Sequence, residues 1–556
     1  MIEADDEAAF PRDPWAIIPA DATERLEFGM ARLLRHYAAP RDETLARRFL
    51  AESLPTGRLC LYGAGSMSVQ LLGWLGGNDG IEIVGIIDRN AATLQHFHDL
   101  PVIPPTDLSA IGCDYVLVAH PLHEMDMMET LLDAGLTADR LFPLYDNPAF
   151  ADRALPPHRA RIAASLPTGC RYCIVGSSHL NTIRDDVLSR LFPTDDTVLL
   201  HFSPYEKFRP SPIYSTVDTA SSTTLLAETL HQLAPDVVVL RSTCQLSFLA
   251  GLIKTALPNT ILIHDFYDFA NLLPRSLLQG WMAMSDEQVS ISQLAEYQSL
   301  RTCDVAISKR DGRWWGRMLA PTTKPFISYF SGSTTELQPH ARAAKRDGDP
   351  WRVLYAGVML QAKPGEYKGD YNFLPLFEAL SATGHFDFEL YNGAHRDAAQ
   401  DQAYQYFMER YPAAPMHYHR RAPYPELHAT AHSCHFGWLY RDAGGEVSYD
   451  AATGIPARCL GYLNAGLPVI VDDKWGYLED LIDRHHAGII LPQGEGARLP
   501  EILAACDFER LQAGAVLLLR FFLEHNESAF ARLHHYLRDE RGLSALPPLV
   551  ARQIAQ

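Results

Sequence analysis

The chain has 556 residues, with 48 basic against 67 acidic side chains and a formal charge of −19 at pH 7. At roughly 150 residues per domain, that length predicts about three to four domains and excludes a single small module. Apolar residues make up 47% and charged residues 21%, which excludes disorder over most of the length, and the acidic balance excludes broad nucleic-acid binding, which needs a basic footprint.

Residues 1–55 carry helical patterns over Thr23 to His36 and Glu43 to Leu54, a helical lead-in. Met1 to Asp6 is acidic and lacks a basic region followed by an apolar stretch, so no secretory signal is expected. No run approaches the roughly 18 apolar residues of a membrane span, and the protein is expected in the cytoplasm. Nine cysteines, odd in number and mostly widely spaced, fit a reducing compartment better than a disulfide framework. Cys170 and Cys173 form a CxxC at the entry to a strand and read as buried core thiols rather than a redox or metal pair.

Three times an apolar, β-rich run ends in glycine and leads into a helical pattern: Leu59 to Gly65, Tyr172 to Ser178 and Trp351 to Gly357. Each reads as the first strand and turn of a doubly wound module. Later strands are expected at Ile81 to Asp88 and Asp114 to His120; then Val198 to His201, Asp236 to Leu240 and Thr260 to Asp265; then Phe386 to Tyr391, Met416 to His419, His435 to Tyr440 and Pro468 to Asp472. Strands alternating with helices signal parallel sheets. The expected fold class is therefore α/β, with three doubly wound Rossmann-like modules. The expected boundaries are residues 56–150, 170–337 and 350–540. Asn147 to Thr168, with Pro156-Pro157, and Gln338 to Pro350 read as linkers.

In the first module, Gly63-Ala64-Gly65-Ser66 joins a strand to a helix, and Asp88 ends the next strand. Glycines there permit a tight turn and close ligand approach, and a carboxylate at Asp88 suits ribose hydroxyls. Ser68 replaces the third glycine of the dinucleotide fingerprint. The segment resembles the small Rossmann-like domains attached to sugar acyltransferases and sugar methyltransferases. That resemblance implies a nucleotide, a nucleotide sugar or a protein surface as ligand, with Gly63, Gly65, Ser66 and Asp88 as contacts. Tight strand-to-helix packing explains the glycines equally well.

The sharpest passage is Gly454-Ile455-Pro456-Ala457-Arg458 through Gly461-Tyr462-Leu463-Asn464-Ala465-Gly466-Leu467-Pro468-Val469-Ile470-Val471. It resembles the donor-binding half of family 4-like, GT-B-fold glycosyltransferases, and the resemblance extends over most of residues 170–530. It implies that the last two modules form a GT-B pair. One would bind a nucleotide-sugar donor, and the other a glycan, lipid-linked or other glycoconjugate acceptor, at strand ends facing a cleft between them. It also implies retention of anomeric configuration and no obligatory bound metal; within the expected cytoplasmic location, peripheral association with the inner face of a membrane is left open.

Residue by residue, the resemblance places Arg458 against the donor diphosphate, with Gly357 at the end of the first strand and Lys363 and Lys368 in the following loop. Asn392 and Gly393 fall at a sheet edge, Arg421 near the base or phosphate, and Gly445 and Glu446 near the donor sugar. Asp265 and Asp268 match a family passage that handles the acceptor hydroxyl and are the catalytic candidates. Many family members carry two glutamates around the Arg458 helix. Thr453 and Gly461 stand in their places, with Asp450 or Glu446 as substitutes. Two other readings remain: a non-catalytic scaffold with a degenerate donor site, and a nucleotide-dependent oxidoreductase or acyl-transfer partner working through the N-terminal domain.

Overall fold

The computed structural model describes residues 29–177, 189–203, 208–309, 324–330, 345–357, 361–363, 366–367, 374–392, 416–419, 422, 424–440, 454–544, 546 and 549, without residues 79, 122, 274, 281–283, 285, 347 and 475. The lead-in is helical over residues 29–36 and over Glu43–Ser53, where Asp42 caps the second helix by accepting the Leu45 N–H.

Three sheets follow. The first comprises β1 (Gly57–Tyr62), β2 (Ile81–Ile87), β3 (His96–Phe97), β4 (Leu100–Ile103), β5 (Tyr115–Val118) and β6 (Leu141–Pro143), in spatial order β3-β4-β2-β1-β5-β6. The second comprises β7 (Tyr172–Gly176), β8 (Thr197–His201), β9 (Ser215–Asp218), β10 (Val237–Ser242), β11 (Ile261–Phe266), β12 (Val305–Ser308) and β13 (Phe326–Ser328), in order β13-β12-β11-β10-β7-β8-β9. A short antiparallel hairpin, β15 (Gln361–Lys363) and β16 (Glu366–Tyr367), follows β14 (Trp351–Gly357). The third sheet adds β17 (Phe386–Asn392), β18 (Met416–His419), β19 (Phe436–Trp438), β20 (Val469–Asp472) and β21 (Gly488–Leu491), in order β18-β17-β14-β19-β20-β21.

The winding is the same each time. The chain enters at an interior strand, runs to one edge, crosses back, and continues to the other edge. The reversals lie between β1 and β5, β7 and β10, and β14 and β19, all parallel pairs. Open α/β sheets bind ligands outside the carboxyl ends of the strands at such reversals. The apolar runs that announced these strands reflect burial on both faces: β7, β10 and β11 are buried at every residue. In the third module, separate cores lie on the two sides of the sheet, one around Leu354, Leu460 and Leu518 and the other around Val353, Phe377 and Trp438.

The chain divides into two compact units. One comprises residues 1–182, 193–265 and 278–304; the other comprises 183–192, 266–277 and 305–556.

The expected linker Asn147 to Thr168 is instead a helix, Pro148–Ser165. Asn147 caps it by accepting the Ala149 N–H, and Pro148 occupies its first turn, where no intrahelical donor is required. Phe150, Ala154, His158 and Ile162, spaced four apart, are buried along one face. That burial outweighs the two N–H donors lost at Pro156 and Pro157. Gln338 to Pro350 falls mostly outside the described residues.

The long helix Phe508–His535 belongs to the second unit. Its buried Asn526 accepts the Phe330 N–H at 2.7 Å and donates to the Phe330 carbonyl at 3.0 Å. The amide thus satisfies both backbone groups just beyond β13. Asn526→Ala leaves them buried and unpaired, with an expected loss of about 2 kcal/mol or more. Denaturant unfolding of the variant checks this, and an unchanged midpoint contradicts it.

Candidate functional site

At the β14–β19 reversal the strand ends in Tyr355-Ala356-Gly357. The helix Ala457–Asn464 approaches from the far side of the chain, with Pro456 at its N-cap, no side-chain cap and no acidic residue in its first turn. Arg458 lies in that first turn. Its Nη1 donates to the Tyr355 hydroxyl at 3.4 Å, and its guanidinium carbon lies 5.5 Å from the centre of the Tyr355 ring. A Cβ on Gly357 would meet Arg458 Nη1 and Tyr355 Oη at 2.7 Å each. A side chain at 357 would push the guanidinium or the Tyr355 hydroxyl, both at the far ends of flexible side chains, away from the strand end.

The helix itself is held by Tyr462. Its ring fills the space where a Gly437 side chain would be, with a Cβ there meeting it at 2.3 Å, and its hydroxyl accepts the Ala356 N–H at 2.8 Å. Burial pushes the Tyr462 phenol up to about 12. Gly466, at φ +64°, ends the helix and returns the chain into β20. A cation in the first turn opposes the helix macrodipole. A guanidinium and the N–H groups of a helix's first turn are both groups that attract an anion.

The other donor-side residues fall differently. Lys363 belongs to the β15–β16 hairpin and Asn392 ends β17, with only their backbones described. Lys368, Gly393, Arg421, Gly445, Glu446, Asp450 and Thr453 lie outside the described residues. A Cβ at Gly461 would have nothing within 4 Å. Asp472 caps Lys474 and Asp473 accepts the Gln493 N–H, so this acidic pair serves the strand end.

In the second sheet, Asp265 is fully buried and faces Arg241 Nε at 3.8 Å, also fully buried. That pairing places a carboxyl and a guanidinium side by side in the interior. A Cβ at Gly176 would meet the Arg241 carbonyl at 2.8 Å, so the first turn of this module closes onto the same arginine. Beside them, His264 is held between Ser242 Oγ, 2.5 Å from Nε2, and Ser299 Oγ at Nδ1. Asp268, in the other compact unit, accepts from Lys309 Nζ at 3.1 Å, and that ammonium lies 3.7 Å from the Tyr267 ring centre. Cys170 and Cys173 are buried, as the strand reading implies.

In the first sheet, Gly63 takes φ +92°, and Gly65 and Ser66 are exposed at the start of the helix Ser66–Leu75. Asp88 accepts the Ala64 N–H and the Asn90 N–H, both at 2.7 Å. The carboxylate thus anchors the glycine turn with one oxygen and its own loop with the other. Nearby, fully buried Glu124 accepts the N–H groups of Leu144, Tyr145 and Asp146. Burial raises that carboxyl to about 7. Arg41 stacks over the Tyr145 ring at 4.2 Å. Nothing in the sequence pattern ties these residues together, because they come from separate elements.

No family model matches the chain, and no curated protein matches it. Among solved structures, sucrose-phosphate synthase from Thermosynechococcus elongatus is similar over 67% of this chain and 99% of its own, at 12% identity and a TM-score of 0.48. Anabaena Alr3699/HepE in complex with UDP and glucose is similar over 66% of this chain and 100% of its own, at 11% identity and 0.45. Alpha,alpha-trehalose 6-phosphate synthase from Burkholderia multivorans is similar over 69% and 100%, at 10% identity and 0.44.

The His264 environment has a measurable consequence. Burial alone holds its pKa well below the ordinary value. The unfolded chain therefore binds a proton that the folded chain refuses. The neutral-His264 contribution is complete above about pH 6.5 and falls away below it, by up to about 1.4 kcal/mol per pH unit. His264→Asn is expected to flatten the acid limb of stability against pH by about one proton's worth of slope. Denaturant midpoints measured between neutral pH and the acid range check this, and equal slopes for the two proteins contradict it.

Proposed function

We propose that the chain is a glycosyltransferase that takes a nucleotide-activated sugar at the carboxyl edge of the third sheet. It transfers the sugar to a glycan, lipid-linked or other glycoconjugate acceptor handled by residues 170–337. The observation that carries this reading is Arg458: a guanidinium in the first turn of an uncapped helix, set against Gly357 at the reversal of the sheet.

The chemistry follows from charge. As the bond between the anomeric carbon and the diphosphate breaks, negative charge accumulates on the leaving oxygen and its phosphates. A preorganised cation and helix N–H groups favour that state over the ground state. Arg458 supplies the cation and the first turn of its helix supplies the N–H groups. Tyr355 restricts the guanidinium to one side of the strand end. Gly357 gives the backbone room for close approach.

Lys363, Lys368, Asn392, Gly393, Arg421, Gly445 and Glu446 are proposed to complete the donor site, and Asp265 and Asp268 to serve the acceptor. Retention of configuration, independence from metal and work at the inner membrane face belong to the same proposal. A nucleotide at Gly63 to Ser66 is its secondary part, and binding ribose through Asp88 requires displacing the bonds that carboxylate already makes.

Titration calorimetry of the full chain with a panel of nucleoside diphosphates tests the reading. At least one is expected to bind. Arg458→Ala is expected to weaken it by about 10- to 100-fold, the range of charge-assisted hydrogen bonds. Gly357→Ala, which displaces the guanidinium, is expected to act in the same direction with the fold intact. No binding by any diphosphate, or binding indifferent to both substitutions, overturns the reading.

A further inference from the structure

The helical lead-in bonds to both the first and the second module, all within one compact unit. On the second module, the Tyr37 carbonyl accepts the Thr223 N–H at 2.7 Å and the Leu34 carbonyl accepts the Thr223 hydroxyl at 2.8 Å. The Ser222 hydroxyl donates to the Ala38 carbonyl at 2.5 Å while capping the helix Thr223–Leu233. The Arg41 N–H reaches the Ala220 carbonyl at 2.8 Å, and the Tyr37 ring stacks on Phe248 at 5.8 Å. On the first module, His36 Nε2 donates to the Pro121 carbonyl at 3.2 Å, just beyond β5, and the Arg41 guanidinium lies over the Tyr145 ring.

A carbonyl only accepts, so Nε2 carries the one N–H of a neutral His36. Its Nδ1 is buried with no hydrogen-bond partner among the described residues. A proton there puts a charge and an unpaired donor into the interior, beside other cationic or titratable groups. Arg41, from the lead-in itself, donates Nη2 to the His36 carbonyl at 2.6 Å. His120 and His123, from the loop after β5, also face His36, with their own ring centres 4.6 Å apart. The amide nitrogen of Gln288, in the second module, lies 3.3 Å from His123 Nδ1. The nearby carboxyls face other groups: Glu124 and Asp146 act on Arg41, and Asp126 lies 4.0 Å from His123 Nδ1. Burial first, then Arg41, holds His36 well below its ordinary pKa, against the Pro121 bond.

We propose that residues 29–41 form an acid-released strap between the first and second modules, closed through a neutral His36 and opened by its protonation. The open strap takes up a proton that the closed strap refuses. Opening is therefore insensitive to this imidazole above about pH 6.5, and below it becomes easier by up to about tenfold per pH unit. Opening exposes the Tyr37, Leu34 and Ala38 carbonyls and frees the first turn of Thr223–Leu233. The strap thus gives the two modules a local opening distinct from global unfolding.

Hydrogen exchange of the full chain, read by peptide mass spectrometry at neutral pH and at about pH 5.5, tests this. Protection factors remove the intrinsic pH dependence of exchange. Peptides covering residues 29–41 are expected to lose protection by about tenfold between the two conditions, and to be less protected than those of β10 at the lower pH. His36→Gln keeps a side-chain N–H for the Pro121 carbonyl but has no titrating nitrogen. It is expected to lose about tenfold less protection in the strap over the same interval. Should His36→Gln misfold, the wild-type protein decides alone. The proposal is overturned if strap protection is the same at both pH values, if it matches that of β10 at both, or if a folded His36→Gln loses as much as the wild type.

Discussion

The site depends on one steric constraint: the guanidinium of Arg458 takes the space at the end of β14 that a side chain at residue 357 would occupy. Tyr355 offers that guanidinium a ring and a hydroxyl. Tyr462 fixes the helix that carries it, through the Ala356 N–H and the space left by Gly437. Two glycines and two tyrosines therefore determine where one cation sits. A cation at the first turn of a helix opposes the helix dipole, and the cation and the N–H groups of that turn are both groups that attract an anion.

The same winding, repeated three times, yields three different carboxyl edges. In the first sheet, Asp88 caps the glycine turn with its own oxygens. In the second, Arg241 and Asp265 face each other in the interior, and the backbone of Gly176 packs directly on the arginine. In the third, the group set against the strand end is a cation carried on a helix from later in the sequence. One architecture thus supports an internally capped edge, an internally paired edge and an edge faced by a cation from a later helix. This illustrates why function resides in particular side chains rather than in the fold.

Much of this was legible in the sequence. Strands buried on both faces announce themselves as continuous apolar runs, and β7, β10 and β11 were read close to their observed limits for that reason. Short edge strands such as β3 and β13 carry too few residues to show a period. The Pro148–Ser165 helix was hidden because Pro156-Pro157 argues locally for a break, whereas the buried face from Phe150 to Ile162 is a tertiary fact. Arg458 was found through the register of its motif. Tyr355 was not, since an aromatic in an apolar strand reads as core. The partners of Asp265 and Asp88 come from separate elements, and only the assembled sheets bring them together.

The most direct measurement is a crystal structure of the full chain with a bound nucleoside diphosphate. The account predicts phosphate oxygens within hydrogen-bond reach of the Arg458 guanidinium and of N–H groups in the first turn of Ala457–Asn464, beside Gly357. A nucleotide bound instead at Gly63 to Ser66, with Arg458 untouched, contradicts it.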